Sequence, residues 1–152
     1  MLTACSNVGV KEEDQAEVIQ EEETFESFVK TVPLLEFPFE FGTNSEMPSI
    51  FETDSQFKPE GAAIIGRLES RDSKHFLISG YAADIWLPML EVYDSEGEKL
   101  HAIELFDYAH CPLDANGFSK CTIANASIIY KETICNLYDS RVDLDTIFVD
   151  AL

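Results

Sequence analysis

The sequence predicts a mainly β domain, with antiparallel hairpins in a meander that forms a sandwich or curved sheet, plus one short N-terminal helix. Three observations carry this prediction. Apolar and polar residues alternate along several short runs. Clusters of Gly, Pro, Asn, Asp and Ser separate the runs. The densest run, residues 79–106, folds two apolar strands about Asp94-Ser95-Glu96-Gly97. A hydrophobic content of 45%, with 11% aromatics in 152 residues, supplies one core and argues against wholesale disorder.

Residues 1–23 read as a tether and 24–152 as a single antiparallel β domain. Phe25, Phe28, Val29 and Val32 fall at i, i+3, i+4 and i+7, which is one helical face. The spacing predicts a helix over 24–31. Glu21, Glu22 and Glu23 suit its N-terminal end, and Pro33 stops it. In 34–41, Leu35, Phe37, Phe39 and Phe41 alternate with Glu36, Pro38 and Glu40. Pro38 cannot donate to a ladder, so this is an edge strand or an extended arm. A loop covers 42–48 and irregular chain covers 49–59.

Strands are expected at 61–69 and 75–81, joined by the polar turn 71–74. A further pair is expected at 118–124 and 127–138 around Asn125-Ala126, and a last strand at 142–150. The central hairpin begins at 85–93. Its turn sets Val92 opposite Leu100, Leu90 opposite Ala102 and Leu87 opposite Leu105. Trp86, Leu90, Val92, Leu100, Ala102 and Phe106 then share one face. Ile85, Leu87, Met89, Ile103 and Leu105 share the other, with Glu91 and His101 nearer the turn. An apolar base on both sides makes this hairpin the spine of the core. A site, if the hairpin carries one, belongs at its tip between Glu91 and His101, or in the 111–121 loop beside it.

The 29 acidic and 10 basic side chains give a net charge of -19. Such a surface repels phosphate backbones and anionic lipid, which argues against nucleic-acid binding. No run approaches the ~18 apolar residues needed to span a bilayer.

Leu2-Thr3-Ala4-Cys5 resembles a bacterial lipobox, without the charged and apolar segments that precede one. The small residues 6–10 and the charged 11–14 suit a tether leaving a membrane anchor. The resemblance implies lipidation at Cys5, so that the membrane partner is reached through that lipid. It also implies an address in the cell envelope, anchored to the outer membrane on its periplasmic or outer side. The body is similar to small lipoproteins of unknown function from anaerobic gut bacteria. The features that carry this are Leu34-Leu35-Glu36-Phe37-Pro38-Phe39, Ala83-Asp84-Ile85-Trp86-Leu87-Pro88-Met89-Leu90, Tyr93-Asp94-Ser95-Glu96-Gly97-Glu98-Lys99, and the 111–121 loop with the strand after it. They span 27–138 and are structural, so they imply a fold and an address but no chemistry.

In an oxidising compartment Cys111 and Cys121 should bridge, with Cys135 a buried free thiol; the rival pairing is Cys121–Cys135. The expected bridge contributes about 2–3 kcal/mol. His110, Cys111, Cys121 and His101 offer zinc-binding types without zinc spacing. Asp143, Asp145 and Asp150, or the acids of 94–98, offer oxygens for calcium without an EF-hand pattern. His110 and Cys111 are adjacent and point apart on extended chain, and no G-x-S-x-G elbow or Gly-rich phosphate loop is present. No catalytic residue, cofactor or metal is therefore expected. The expected role is a non-enzymatic, lipid-anchored binding or assembly domain for a glycan or protein partner. A small glycan- or peptide-acting hydrolase and a calcium-binding accessory domain are the alternatives. Tyr81, Tyr93, His101, Tyr108 and Phe118 form the candidate binding surface.

Overall fold

A computed structural model describes residues 22–43, 45–82, 86–106, 117–135 and 140–152, the side chains of 140–143 excepted. Among the described residues, one helix, α1 (Phe25–Thr31), precedes eight strands: β1 (Phe39–Gly42), β2 (Ala62–Arg67), β3 (His75–Tyr81), β4 (Leu87–Tyr93), β5 (Lys99–Glu104), β6 (Gly117–Asn125), β7 (Ile128–Cys135) and β8 (Ser140–Phe148). A 3-10 turn, Val149–Ala151, follows. The strands form two antiparallel four-stranded sheets, ordered β2-β3-β4-β5 and β1-β6-β7-β8. The fold class is the one the sequence predicts.

Alternation builds the sandwich. Along β6 and β7, Cys121, Ile123 and Ile129 turn inward and their neighbours outward. From the other sheet Phe76, Ile78, Leu90 and Val92 meet them, with Ile65, Leu68, Leu105 and Phe106 filling between. Trp86 precedes β4 and packs edge-on against Phe41 and Phe106. Its indole lies where a Cβ on Gly80 would stand, only 1.9 Å from Nε1, so β3 requires a glycine there.

The helix forms where the periodicity places it. Thr24 caps it: its hydroxyl accepts from the Ser27 amide at 3.2 Å, and the Ser27 hydroxyl accepts from the Thr24 amide at 3.0 Å. Its buried face (Phe25, Phe28, Val29) and Val32 pack on Ile64, Leu77 and Tyr93, with Phe51 and Phe57 alongside. The helix therefore covers the outer face of the first sheet, and that sheet is apolar on both sides over this half.

The expected edge strand at 34–41 is shorter. Leu34 makes a single parallel bridge to Arg67 of β2, and after a cis Phe37–Pro38 bond Phe39–Gly42 pairs as a strand at the edge of the second sheet. The polar turn at 71–74 is present, tight enough to hold Asp72 and Ser73 at φ 50° and 60°. The central hairpin departs from expectation by one residue. Val92 faces His101, Leu90 faces Ile103 and Glu91 faces Ala102, because the register shifts beyond Val92 before Tyr93 meets Lys99. The β-bulge leaves Leu100 43% exposed and puts Ala102 on the outer face. Val92 and Leu90 stay on the core side as expected, but their expected partners Leu100 and Ala102 do not join them there. Ile85 lies outside the described residues.

The expected bridge between Cys111 and Cys121 is corrected: Cys121 is a buried free thiol. Its side chain points between the sheets opposite Lys131, and burial pushes the thiol up to about 12. Cys135, expected free, is disulfide-bonded instead. Cys5 and Cys111 lie outside the described residues.

Candidate functional site

α1 and the 51–57 segment cover only part of the first sheet's outer face. Beside them, over β4 and β5, a groove of about 680 Å³ stays open. Its floor comes from strand alternation: Leu87, Met89, Glu91 and Tyr93 of β4 all point the same way. Tyr81 stands on one side of them. Lys99, Ala102 and Glu104 stand on the other, Lys99 by its pairing with Tyr93 and the other two brought to this face by the bulge. Gln56, Phe57, Pro59 and Glu60 form the rim nearest the helix.

Glu91 is the unusual member. It sits in the middle of a central strand and is 1% exposed. Register places it between Leu77 and Ala102, neither of which can donate from its side chain. Two side chains converge on Oε1: the Tyr81 hydroxyl donates to it at 2.8 Å, and the Lys99 ammonium forms a short, charge-assisted bond with it. Oε2 is equally buried and has no hydrogen-bond partner. The Tyr93 hydroxyl is buried near the carboxylate without closing a hydrogen bond of ordinary geometry. A buried carboxylate oxygen without a donor is costly, so its persistence on a groove floor marks a place where a ligand can supply one. Burial, then the negative charge of Glu91, raises the hydroxyls of both Tyr81 and Tyr93, which therefore stay protonated and able to donate.

Lys99 is held by Glu91 and lies 5.7 Å from the centre of the Tyr93 ring. Its side chain is 43% exposed, so the counter-charge of a fully buried carboxylate rests on an arm that reaches in from solvent. Glu60 and Glu104 add negative charge at the margins.

Of the residues expected to form a binding surface, Tyr81 and Tyr93 come together here. His101 does not: it opposes Val92 on β5 with its ring exposed on the other face. Phe118 lies on β6 in the second sheet, beside a separate shallow hollow with Glu40, Phe41, Gly42 and Lys120. Tyr108 is outside the described residues. Glu91 and Lys99 were bracketed by the hairpin tip but not named as site residues. The available signal was a glutamate on the otherwise apolar second face of a strand pattern, followed eight residues on by a lysine across the turn.

Among the described residues no group of three or more His, Cys, Asp or Glu side chains is placed to hold a metal ion. The Asp94 carboxylate, one of the calcium candidates, accepts instead from the Glu96 and Glu98 amides at 2.9 Å each and so shapes the turn. No helix among the described residues is long and apolar enough to cross a membrane. No family model matches the chain, and neither a curated protein nor a solved structure matches it.

Proposed function

We propose that this chain is a lipid-anchored cell-envelope domain that binds a ligand in the groove over β4 and β5. The observation that carries the binding reading is the buried Glu91 carboxylate, one of whose oxygens has no donor on the floor of an open groove. Stable sheets rarely retain such a group without use, because a buried, half-satisfied carboxylate destabilises the fold that contains it. The surrounding groups are recognition groups: two protonated tyrosine hydroxyls, one ammonium, and the apolar surface of Leu87, Met89 and Phe57.

The envelope address is supported by the lipobox-like Leu2-Thr3-Ala4-Cys5 start and by the disulfide at Cys135, which suits an oxidising compartment. A net charge of -19 keeps such a domain apart from anionic lipid, at the end of a tether.

Two experiments test this. A clickable fatty acid fed to expressing cells should label the wild type and leave Cys5→Ser unlabelled; equal labelling of both refutes anchoring through Cys5. A panel of neutral, acidic and basic oligosaccharides and short peptides, titrated into isotope-labelled protein, should give at least one compound whose amide shifts cluster at Tyr81, Met89, Glu91, Tyr93 and Lys99. A panel that shifts only other surfaces overturns the groove.

A further inference from the structure

Resting on that reading, we infer that the groove is a site for an alkylammonium group, and that Lys99 is its built-in occupant, displaced when a ligand binds. Four features converge on this chemistry. The buried Glu91 carboxylate, ion-paired to Lys99, stands at the floor. The Tyr93 ring presents its π face to a cation already placed there. Glu60 and Glu104 leave the groove with three carboxylates against one ammonium, which draws cations and repels anions. Leu87, Met89 and Ala102 run from the carboxylate along the open side of the groove and provide an apolar track for an alkyl stem.

Lys99 satisfies this site incompletely. An ammonium has three N–H donors, yet Lys99 bonds Glu91 through Oε1 and leaves Oε2 and the Tyr93 hydroxyl without partners. Lys99 enters from the β5 end, at the residue just before the bulge, and its reach is set by that anchor. A ligand ammonium entering along Met89 is free of the anchor. It can sit between the two carboxylate oxygens and donate to the Tyr93 hydroxyl oxygen as well. Lys99, already 43% exposed, then swings into solvent. The exchange is cation for cation, so the buried carboxylate is never left uncompensated.

The test uses n-butylammonium chloride as probe, with n-butanol as the neutral isostere, at constant ionic strength and followed by NMR on the full chain. In the wild type, butylammonium should shift the Tyr93 and Met89 resonances and move the Lys99 ε-methylene signals toward those of a free lysine. In Lys99→Met the same probe should bind on the order of tenfold more tightly, as expected when an internal competitor fills the site about nine-tenths of the time. Glu91→Gln in that background should abolish the gain. Equal shifts by butanol and butylammonium, or an unmoved Lys99 signal at saturation, overturn the inference, and the wild-type readout decides even if Lys99→Met does not fold. A neutral oligosaccharide that shifts the groove while butylammonium does not leaves the binding reading standing and removes only the ammonium specificity. The source of the ammonium is then separated by comparing an amino sugar with a lysine-containing peptide.

Discussion

Gly97→Ala ties the hairpin turn to the helix and to the groove together. Gly97 has φ +91°, a conformation that costs an alanine about 1–2 kcal/mol. A Cβ there would stand 2.8 Å from Cδ2 and 2.9 Å from Cγ of Phe25. Phe25 cannot step aside cheaply. It is 3% exposed and packed against Phe28, Phe57, His75 and Tyr93 at ring distances of 5.2–5.9 Å. Overpacking at such a position costs a further ~1–3 kcal/mol. The sum is about 2–5 kcal/mol, a drop in Tm of roughly 4–20 °C for a domain of this size. Circular dichroism melts of wild type, Gly97→Ala, Phe25→Ala and the double variant measure it. The steric part should vanish when Phe25 is truncated, so the double variant should be more stable than additivity allows, by at least about 1 kcal/mol. A Tm within 2 °C of wild type, or strict additivity, refutes the packing of Phe25 over the turn.

Three further outcomes are expected. Ser73→Gly should raise stability by up to about 1 kcal/mol in urea titrations, since Ser73 holds φ 60° in a two-residue turn, and a loss of stability would contradict that geometry. His75 is buried, with Nδ1 2.8 Å from the Ser70 hydroxyl, and burial lowers its affinity for a proton against the opposing pull of Glu26. The unfolded chain thus binds the proton more readily. This contribution to stability is present above pH 6.5 and is lost as the pH falls below it; His75→Gln should flatten the slope between pH 6.5 and 5, and an unchanged slope would exclude His75 as its source. Iodoacetamide without reductant should spare Cys121 in the folded protein and modify it only in denaturant, while Cys135 stays unmodified in both; early labelling of Cys121 would contradict its burial.

Much of the architecture was written in local periodicity. Phe25, Phe28, Val29 and Val32 marked the helix and its buried face, and the alternation of 118–124 marked β6. Asp94 and Gly97 marked the hairpin turn because each does a local job, one capping amides and the other accepting a positive φ. The bulge was not legible. It takes a single residue, Leu100, and no composition distinguishes a bulged leucine from a paired one. That one-residue slip hid part of the groove, since it decides that Ala102 and Glu104 join Glu91 and Lys99 on the outer face. Glu91 reads from the sequence only as a residue nearer the turn, and its hydrogen bond from Tyr81 comes from a different hairpin. The cysteine pairing failed for a related reason. Loop length suggested Cys121 as partner, but strand alternation turns Cys121 into the sandwich.

The most direct measurement is the affinity of a groove-binding compound for wild type and for Glu91→Gln, with a melt of each as a folding control. A hydrogen bond to a charged partner contributes about 1.5–3 kcal/mol, so the variant should bind on the order of 10- to 100-fold more weakly with its fold retained. Equal affinity in the two folded proteins would contradict the assignment of the Glu91 groove as the binding site.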